Sequence, residues 1–220
     1  MKRTWIHHAI IVNEGRRFVG SVVIEEEKIQ EVIEGDGAPA AVCDEQIDAQ
    51  GCFLLPGVID DHVHFRDPGL THKADMATET AAAAAGGVTS FMDMPNCTPQ
   101  TTTLEALENK FKDAATKCIV NYSFYFGATN NNADQLKALD KTHVCGEKLY
   151  MEASPGNMLI DRMEALKKIF SEAGMLIATH CEDQQIIREN TERFKQQYGE
   201  DRKSTRLHSS HITISYAVFC

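Results

Sequence analysis

The chain has 220 residues, of which 43% are hydrophobic and 25% charged, so it is long enough to bury a core and too apolar for wholesale disorder. Thirty-two acidic residues outnumber 22 lysines and arginines, which gives a net charge of −10. Such an acidic chain is a poor general binder of nucleic acids or anionic membranes, and we expect neither as a partner.

The cysteines and the apolar runs indicate the compartment. Seven cysteines form an odd set without a CxxC pair, which argues against a secreted disulfide framework. The apolar stretch at 9–12 is too short for a signal peptide, and no apolar run approaches the roughly 20 residues of a membrane helix. We therefore expect a cytoplasmic protein.

The first 54 residues are predicted to form a small sheet. Short β-branched runs at 10–12, 21–24 and 29–33 are separated by turn-forming and charged residues. These strands are too few to close a sandwich by themselves.

From residue 55 onward, short apolar runs alternate with helical patterns. Strands are predicted at 58–61, 88–94, 119–128, 148–151 and 175–180, and helices at 73–85, 103–116, 133–139, 161–173 and 183–198. Thr102, three residues before Glu105, and Asn132 are candidate helix caps. Five successive βα units imply a parallel sheet, either open and doubly wound or part of an eight-stranded barrel. No glycine-rich phosphate fingerprint follows a strand, which weakens the open-sheet alternative.

Two histidines follow the first of these five strands, in the run Asp61-His62-Val63-His64. Residues i and i+2 of a strand point to the same side, so the two imidazoles converge at the C-terminal rim, where parallel α/β folds hold their sites. The pair is a candidate pair of metal ligands. A surface histidine pair without a ligand role is the alternative.

Three more strand ends carry polar residues. Asn96 is either a substrate contact or part of an ordinary turn. Lys148 lies in an apolar strand, where an unpaired ammonium is costly; it either reacts with CO₂ to form a carbamate or is paired or snorkels to water. His180 is either a ligand or a core or helix-capping residue.

Four of these candidate residues share one position in the predicted fold. His62, His64, Lys148 and His180 all fall at the C-terminal ends of predicted strands, so they are expected to share one edge of the sheet. Nitrogen and oxygen ligands without thiolates suit Zn²⁺, with Mn²⁺ or Co²⁺ as substitutes.

The same residues resemble the amidohydrolase superfamily and, within it, dihydroorotase. The matching runs are 56–69, Met94-Pro95-Asn96, Lys148-Leu149-Tyr150 and His180-Cys181-Glu182, and the resemblance covers about residues 1–200 in order and spacing. It implies an α/β fold in which part of a β-sandwich (1–54) precedes a truncated (β/α)₈ barrel of about five βα units (55–200).

The resemblance also implies a site. His62 and His64 would hold one of two zinc ions, His180 the other, and Lys148 would bridge them as an N6-carboxylated lysine. Arg66 would grip the carboxylate of a small-molecule substrate, dihydroorotate, and Asn96 would contact it as well. The implied reaction is the reversible hydrolysis of dihydroorotate to N-carbamoyl-aspartate in de novo pyrimidine biosynthesis, by an intact enzyme that forms a homo-oligomer.

Two other functions stay open. An allantoinase or hydantoinase-like enzyme shares the metal frame, but is expected to lack an arginine at position 66. A non-catalytic homologue that acts as an assembly partner for another enzyme is the second alternative.

The chain departs from the family pattern at its end. The resemblance predicts a further histidine ligand, a catalytic aspartate and the remaining sandwich strands, and none of them can be assigned to a residue. Residues 201–220 are basic and rich in serine and threonine, so we interpret them as a non-native tail. We therefore expect a truncated and inactive N-terminal fragment.

Overall fold

A computed structural model describes residues 1–151, 158–160, 162–181, 184–199 and 218–219. The chain divides into two compact units, Met1–Gly57 and Val58–Cys220. This division falls just beyond the predicted boundary at residue 54, and the full assignment of three segments stays a prediction. The predicted tail lies outside the described residues except for 218–219.

The first unit is a five-stranded sheet. Its strands are β1 (Arg3–Asn13), β2 (Arg16–Glu25), β3 (Lys28–Glu34), β4 (Glu45–Asp48) and β5 (Phe53–Leu54). The order is β3-β2-β1-β4, and β5 also pairs with β1. The predicted meander corresponds to the antiparallel strands β1 to β3, whereas the parallel strands β4 and β5 were not predicted because they are short and β4 is polar.

A tight turn connects β1 to β2. Glu14 and Gly15 both have positive φ, 49° and 74°, and the flanking Asn13 and Arg16 pair directly. A two-residue hairpin loop with positive φ at both positions matches the right-handed twist of the strands, and glycine adopts it at no steric cost. The turn therefore sets the register of the hairpin.

The second unit is a curled parallel sheet flanked by helices. Its strands are β6 (Val58–Val63), β7 (Val88–Asp93), β8 (Asn121–Gly127), β9 (Gly146–Tyr150) and β10 (Ile177–His180), and its helices are α1 (Met76–Ala85), α2 (Leu104–Lys117), α3 (Ala133–Leu136), α4 (Met163–Glu172) and α5 (Gln184–Tyr198). The strands lie in chain order, and β11 (Val218–Phe219) pairs antiparallel with β10. This arrangement confirms the predicted α/β class and the five βα units of a partial barrel.

The helix caps differ from the prediction in detail. The N-cap of α2 is Thr103, whose hydroxyl accepts from the Ala106 amide at 3.1 Å, and not its neighbour Thr102, which is buried. Asn132 precedes α3 without capping it. Its side chain instead accepts from the Thr129 amide and donates to the carbonyls of Thr102 and Gly127, so it joins the loops that follow β7 and β8.

An aromatic and aliphatic core lies between this sheet and its helices. Its fully buried members come from strands, helices and two connecting segments: Met76, Phe91, Ala114, Phe124, Phe126, Ala128, Leu149, Ile160 and Ile169. Alternation along β9 places Leu149 on one face of the sheet with Glu147, and Lys148 on the other. Among the described residues, no helix is long and apolar enough to cross a membrane.

Glu147 is a buried acid with no hydrogen-bond partner among the described residues. The residue is fully buried, and within the described part of the chain neither carboxylate oxygen has a hydrogen-bond partner. Burial raises the pKa of this carboxyl from 4.5 to about 7, against the smaller opposing influence of the Lys141 charge. The folded chain therefore holds the Glu147 proton more tightly than the unfolded chain does.

Glu147 is expected to make stability fall as pH rises. Below about pH 4.5 the carboxyl is protonated in both states; between 4.5 and about 7 only the folded state keeps the proton, so the free energy of unfolding decreases across this window. The decrease is on the order of 3 kcal/mol. Glu147→Gln should remove it, as measured by urea denaturation at several pH values. A variant that keeps the parent slope between pH 4.5 and 7 would refute this assignment.

Candidate metal centre

The two predicted ligand histidines lie side by side at the end of β6. The ring centroids of His62 and His64 are 5.4 Å apart, and the ring planes are inclined by 59°. His62 is exposed at the rim and His64 is half-buried. The His-x-His spacing therefore brings two imidazoles together, as the alternation of a strand requires.

Asn96 orients His64. The Asn96 side-chain oxygen lies 2.8 Å from Nδ1 of His64. An amide oxygen can only accept, so the imidazole donates from Nδ1 and keeps its lone pair on Nε2. Fixing the tautomer in this way prepares the opposite ring nitrogen to bind a cation. Sequence reasoning gave Asn96 a substrate contact, and this contact with a candidate ligand was missed because the two residues are 32 positions apart.

Both imidazoles favour the neutral form. Partial desolvation lowers the pKa of His62 even at the exposed rim, and the charges of Lys148 and His64 add to this effect. Burial also lowers the pKa of His64; the hydrogen bond with Asn96 opposes the shift, and the Arg66 charge reinforces it. A neutral imidazole is the form that binds a metal ion, so both rings are suited to that task near neutral pH.

Lys148 is a buried amine at the same edge. It is 2% exposed, and its Nζ lies 5.1 Å from the centroid of the Tyr150 ring. Burial lowers the pKa of the amine. Within the described part of the chain, no ion pair is formed by Lys148, which removes one support for the acid-paired alternative. A neutral amine is the form that reacts with CO₂.

Tyr150 and His180 lie at the same edge of the sheet, as the last residues of β9 and β10. His180 lies opposite Tyr150 in the parallel β9–β10 register, and the two rings stack with centroids 6.1 Å apart. Burial raises the pKa of Tyr150 to about 12. Among the described residues its hydroxyl has no hydrogen-bond partner. A buried hydroxyl that no described residue pairs, next to a buried amine, fits a site that holds an anionic group.

Arg66 lies in the loop after His64, with a positive φ of 63°. Its charge adds to the lowering of the His64 pKa and opposes the rise that burial causes in the Tyr150 pKa. The loop closes because the Leu70 amide donates to the Arg66 carbonyl at 3.0 Å. Arg66 is therefore a cation at the same rim as the imidazoles.

A buried ion pair holds the start of the loop that carries Arg66. Nζ of Lys110, on α2, lies 2.6 Å from Oδ2 of Asp93 at the end of β7, and both side chains are fully buried. The other Asp93 oxygen accepts from the Phe65 amide at 2.9 Å, directly between His64 and Arg66. Asp93 thus fixes the backbone that carries a candidate ligand and the candidate substrate cation.

Asp67 fixes the other end of the loop. Its carboxylate accepts from the Met76 amide at 3.2 Å at the start of α1, and Nζ of Lys117 lies 3.0 Å away. Sequence reasoning missed both supporting acids. The available signals were Asp93 within an apolar strand run and Lys110 on the helix face shared with Leu107.

The donor set fits a divalent metal ion of the zinc type. His62 and His64, whose imidazoles favour the neutral form, end β6. Lys148, an amine able to become a carboxylate-like carbamate, lies near the end of β9 in the same sheet, and His180 ends the adjacent strand. Nitrogen and oxygen donors without thiolate suit Zn²⁺, Mn²⁺ or Co²⁺. The structure therefore brings His62, His64, Lys148 and His180 to one edge of the sheet, and their roles as ligands stay predictions.

The chain is similar to known amidohydrolases. A family model described as "Amidohydrolase family" matches residues 53–215. The chain is 36% identical over 174 residues to an allantoinase from Deinococcus radiodurans, an alignment that covers 75% of this chain and 37% of the relative. It is 37% identical over 169 residues to a dihydroorotase from Methanosarcina mazei, covering 75% and 36% of the two chains.

A solved structure is similar over nearly the whole chain. The L-hydantoinase (dihydropyrimidinase) from Arthrobacter aurescens superposes with a TM-score of 0.86 at 25% identity, covering 97% of this chain and 48% of that enzyme. The chain thus spans little more than a third of the length of the curated relatives it matches, and about half of the solved enzyme.

Proposed function

The chain belongs to the amidohydrolase family, and from this premise we propose that it forms the metal-binding part of a cyclic amidohydrolase that hydrolyses dihydroorotate to N-carbamoyl-aspartate. The observation that carries the proposal is the grouping of two neutral imidazoles, a buried amine and a guanidinium at one edge of a parallel sheet.

Four residues would hold two zinc ions. His62 and His64 would bind one ion through neutral rings, His180 the other, and Lys148 would bridge them as a carbamate. When bound, the metal ions supply a water molecule of lowered pKa and polarise the amide carbonyl. The chain's own contribution is to keep the His64 tautomer fixed through Asn96. The catalytic acid and base is not assigned to a residue.

Arg66 would determine the substrate specificity. Dihydroorotate carries a carboxylate on its ring, and a guanidinium can hold a carboxylate through two parallel hydrogen bonds. Arg66 lies two residues after His64, so a carboxylate held there would keep the ring next to this candidate metal ligand. The proposal extends to de novo pyrimidine biosynthesis, a cytoplasmic location and a homo-oligomeric intact enzyme.

An allantoinase or hydantoinase activity is the second candidate. It is favoured by the names of the relatives, since an allantoinase and a dihydroorotase are about equally similar to this chain. The carboxylate-binding argument for Arg66 favours dihydroorotate. A non-catalytic homologue would fold stably without metal ions at His62, His64, Lys148 and His180.

Substitution of Arg66 tests which of the candidate substrates the enzyme hydrolyses. In the protein expressed from its complete reading frame, Arg66→Met should lower kcat/KM for dihydroorotate by about 10–100-fold, because a charge-assisted hydrogen bond is lost. Dihydrouracil, which lacks the carboxylate, should be hydrolysed at the parent rate. Steady-state kinetics on dihydroorotate, dihydrouracil and allantoin measure this. An equal loss on all substrates, or faster turnover of allantoin by the parent, would contradict the assignment of dihydroorotate.

A further inference from the structure

A second group of side chains that could hold a metal ion lies in the first unit. Within the described part of the chain, His7, His8 and Asp48 offer three ligand atoms that all lie within 4.8 Å of one another. Nδ1 of His8 lies 3.0 Å from Nδ1 of His7 and 3.0 Å from Oδ1 of Asp48. The third distance, from Nδ1 of His7 to Oδ1 of Asp48, is 3.8 Å.

A β-bulge turns two consecutive histidines toward each other. In a regular strand His7 and His8 would point to opposite faces. Here the β1–β2 register shifts between Ile6 and Ala9, so that two residues of β1 occupy the space of one, and His8 has a positive φ of 58°. Bulges of this kind re-aim side chains. The two Nδ1 atoms therefore meet on one side of the sheet.

The neighbouring strand supplies the third ligand. Asp48 is the residue paired with His7 in the parallel β1–β4 register, and the Ala49 amide donates to the His7 carbonyl at 2.8 Å. The Trp5 ring packs on the His7 ring with centroids 4.5 Å apart. The Gln50 amide donates to Oδ1 of Asp48 at 3.1 Å. Two of the three ligands are thus held by contacts other than those within the group.

The spacing suits a tetrahedral ion. With metal–nitrogen and metal–oxygen distances of about 2.0–2.2 Å, two ligand atoms of a tetrahedral site are about 3.3 Å apart. The observed distances of 3.0, 3.0 and 3.8 Å lie around this value. Two imidazoles and one carboxylate leave a fourth position for water, and the half-exposed side chains of His8 and Asp48 leave access for the ion.

We propose that His7, His8 and Asp48 form a separate site for a divalent transition-metal ion such as Zn²⁺, which connects β1 to β4. Imidazole-rich donors favour Zn²⁺, Co²⁺, Ni²⁺ or Cu²⁺ over Mg²⁺ and Ca²⁺, which require oxygen donors. Since the ion binds two strands that are joined by 31 intervening residues, its effect is on the stability of the first unit and does not depend on the proposed hydrolytic function.

Cobalt titration of the whole 220-residue chain tests the site. The parent for this experiment carries His62→Ala and His64→Ala, which removes the two rim imidazoles, and Co²⁺ binding is followed by its visible absorption. We expect one saturable equivalent, displaced by Zn²⁺. His8→Ala in this background should weaken binding about 100-fold or more, since losing even an outer-shell contact costs 10–100-fold.

His143→Ala is the matched control. His143 is also exposed and lies 2.7 Å from a carboxylate, that of Asp140, but among the described residues it belongs to no group of three possible metal ligands. Its removal should leave Co²⁺ affinity unchanged. Asp48→Asn provides a second site variant of nearly identical shape, in case His8→Ala unfolds the first unit by circular dichroism. Equal Co²⁺ binding by the parent and both site variants, or no saturable binding by the folded parent, would overturn the proposal.

Discussion

Replacing Lys110 with methionine is expected to lower the free energy of unfolding by about 3–5 kcal/mol, because it leaves the Asp93 carboxylate buried without its counter-ion. The two groups are 2.6 Å apart and fully buried, and Asp93 also accepts from the Phe65 amide. Methionine has a similar length and creates no large cavity. Urea denaturation followed by circular dichroism measures the change.

Lys112→Met is the control for this effect. Lys112 lies on the same helix and pairs with Glu108 at 2.7 Å, but both side chains are about two-thirds exposed. Its loss should cost no more than about 0.5 kcal/mol. Adding Asp93→Asn to Lys110→Met should restore more than half of the stability, because an amide oxygen still accepts from Phe65 without a buried charge. Similar losses for Lys110→Met and Lys112→Met would show that the buried pair contributes little.

Replacing Lys148 with alanine is expected to lower dihydroorotate hydrolysis by about 10³-fold or more, because metal-ion catalysis contributes several kcal/mol to the barrier. The lysine is buried at the candidate metal centre, and its lowered pKa favours the neutral amine that forms a carbamate. Alanine leaves a space into which a small carboxylate can enter. Acetate or propionate should therefore restore part of the activity of the protein expressed from its complete reading frame.

Lys141→Ala is the control variant for Lys148→Ala. Lys141 is an exposed lysine in the loop before β9, and its loss should leave turnover and its dependence on carboxylates unchanged. More than a tenth of the parent activity in Lys148→Ala, or a complete lack of response to added carboxylates, would exclude a bridging carbamate.

The arrangement of strands and helices was predictable because it depends on local pattern. Short apolar runs alternate with helical patterns, and the Ala-rich helix α1 ends at Ala85 with Gly86 as its C-cap, as its sequence indicates. The rim position of His62 and His64 follows from the twofold period of a strand. Helix ends differ from the prediction by up to three residues. At α2 the shift is one residue, because the neighbouring Thr102 and Thr103 are equally able to cap.

The contacts that complete the two candidate sites were not predictable from local pattern. Asn96 reaches His64 across 32 residues, and Asp48 reaches His8 across 40, so no short motif contains either pair. The bulge at His7 and His8 reverses the orientation that strand alternation predicts. Long-range pairing of this kind depends on sheet register, which a single sequence specifies only through the whole fold.

Metal dependence of dihydroorotate hydrolysis tests the central claim most directly. The protein expressed from its complete reading frame, carrying His8→Ala so that the proposed cation site in the first unit does not contribute, is stripped with a chelator and then given Zn²⁺. We predict that hydrolysis falls to background on stripping, returns with Zn²⁺, and does not return when His62 and His64 are both replaced by alanine. Unchanged hydrolysis after verified metal removal, or full Zn²⁺ recovery without the two histidines, would contradict a metal centre at this edge of the sheet.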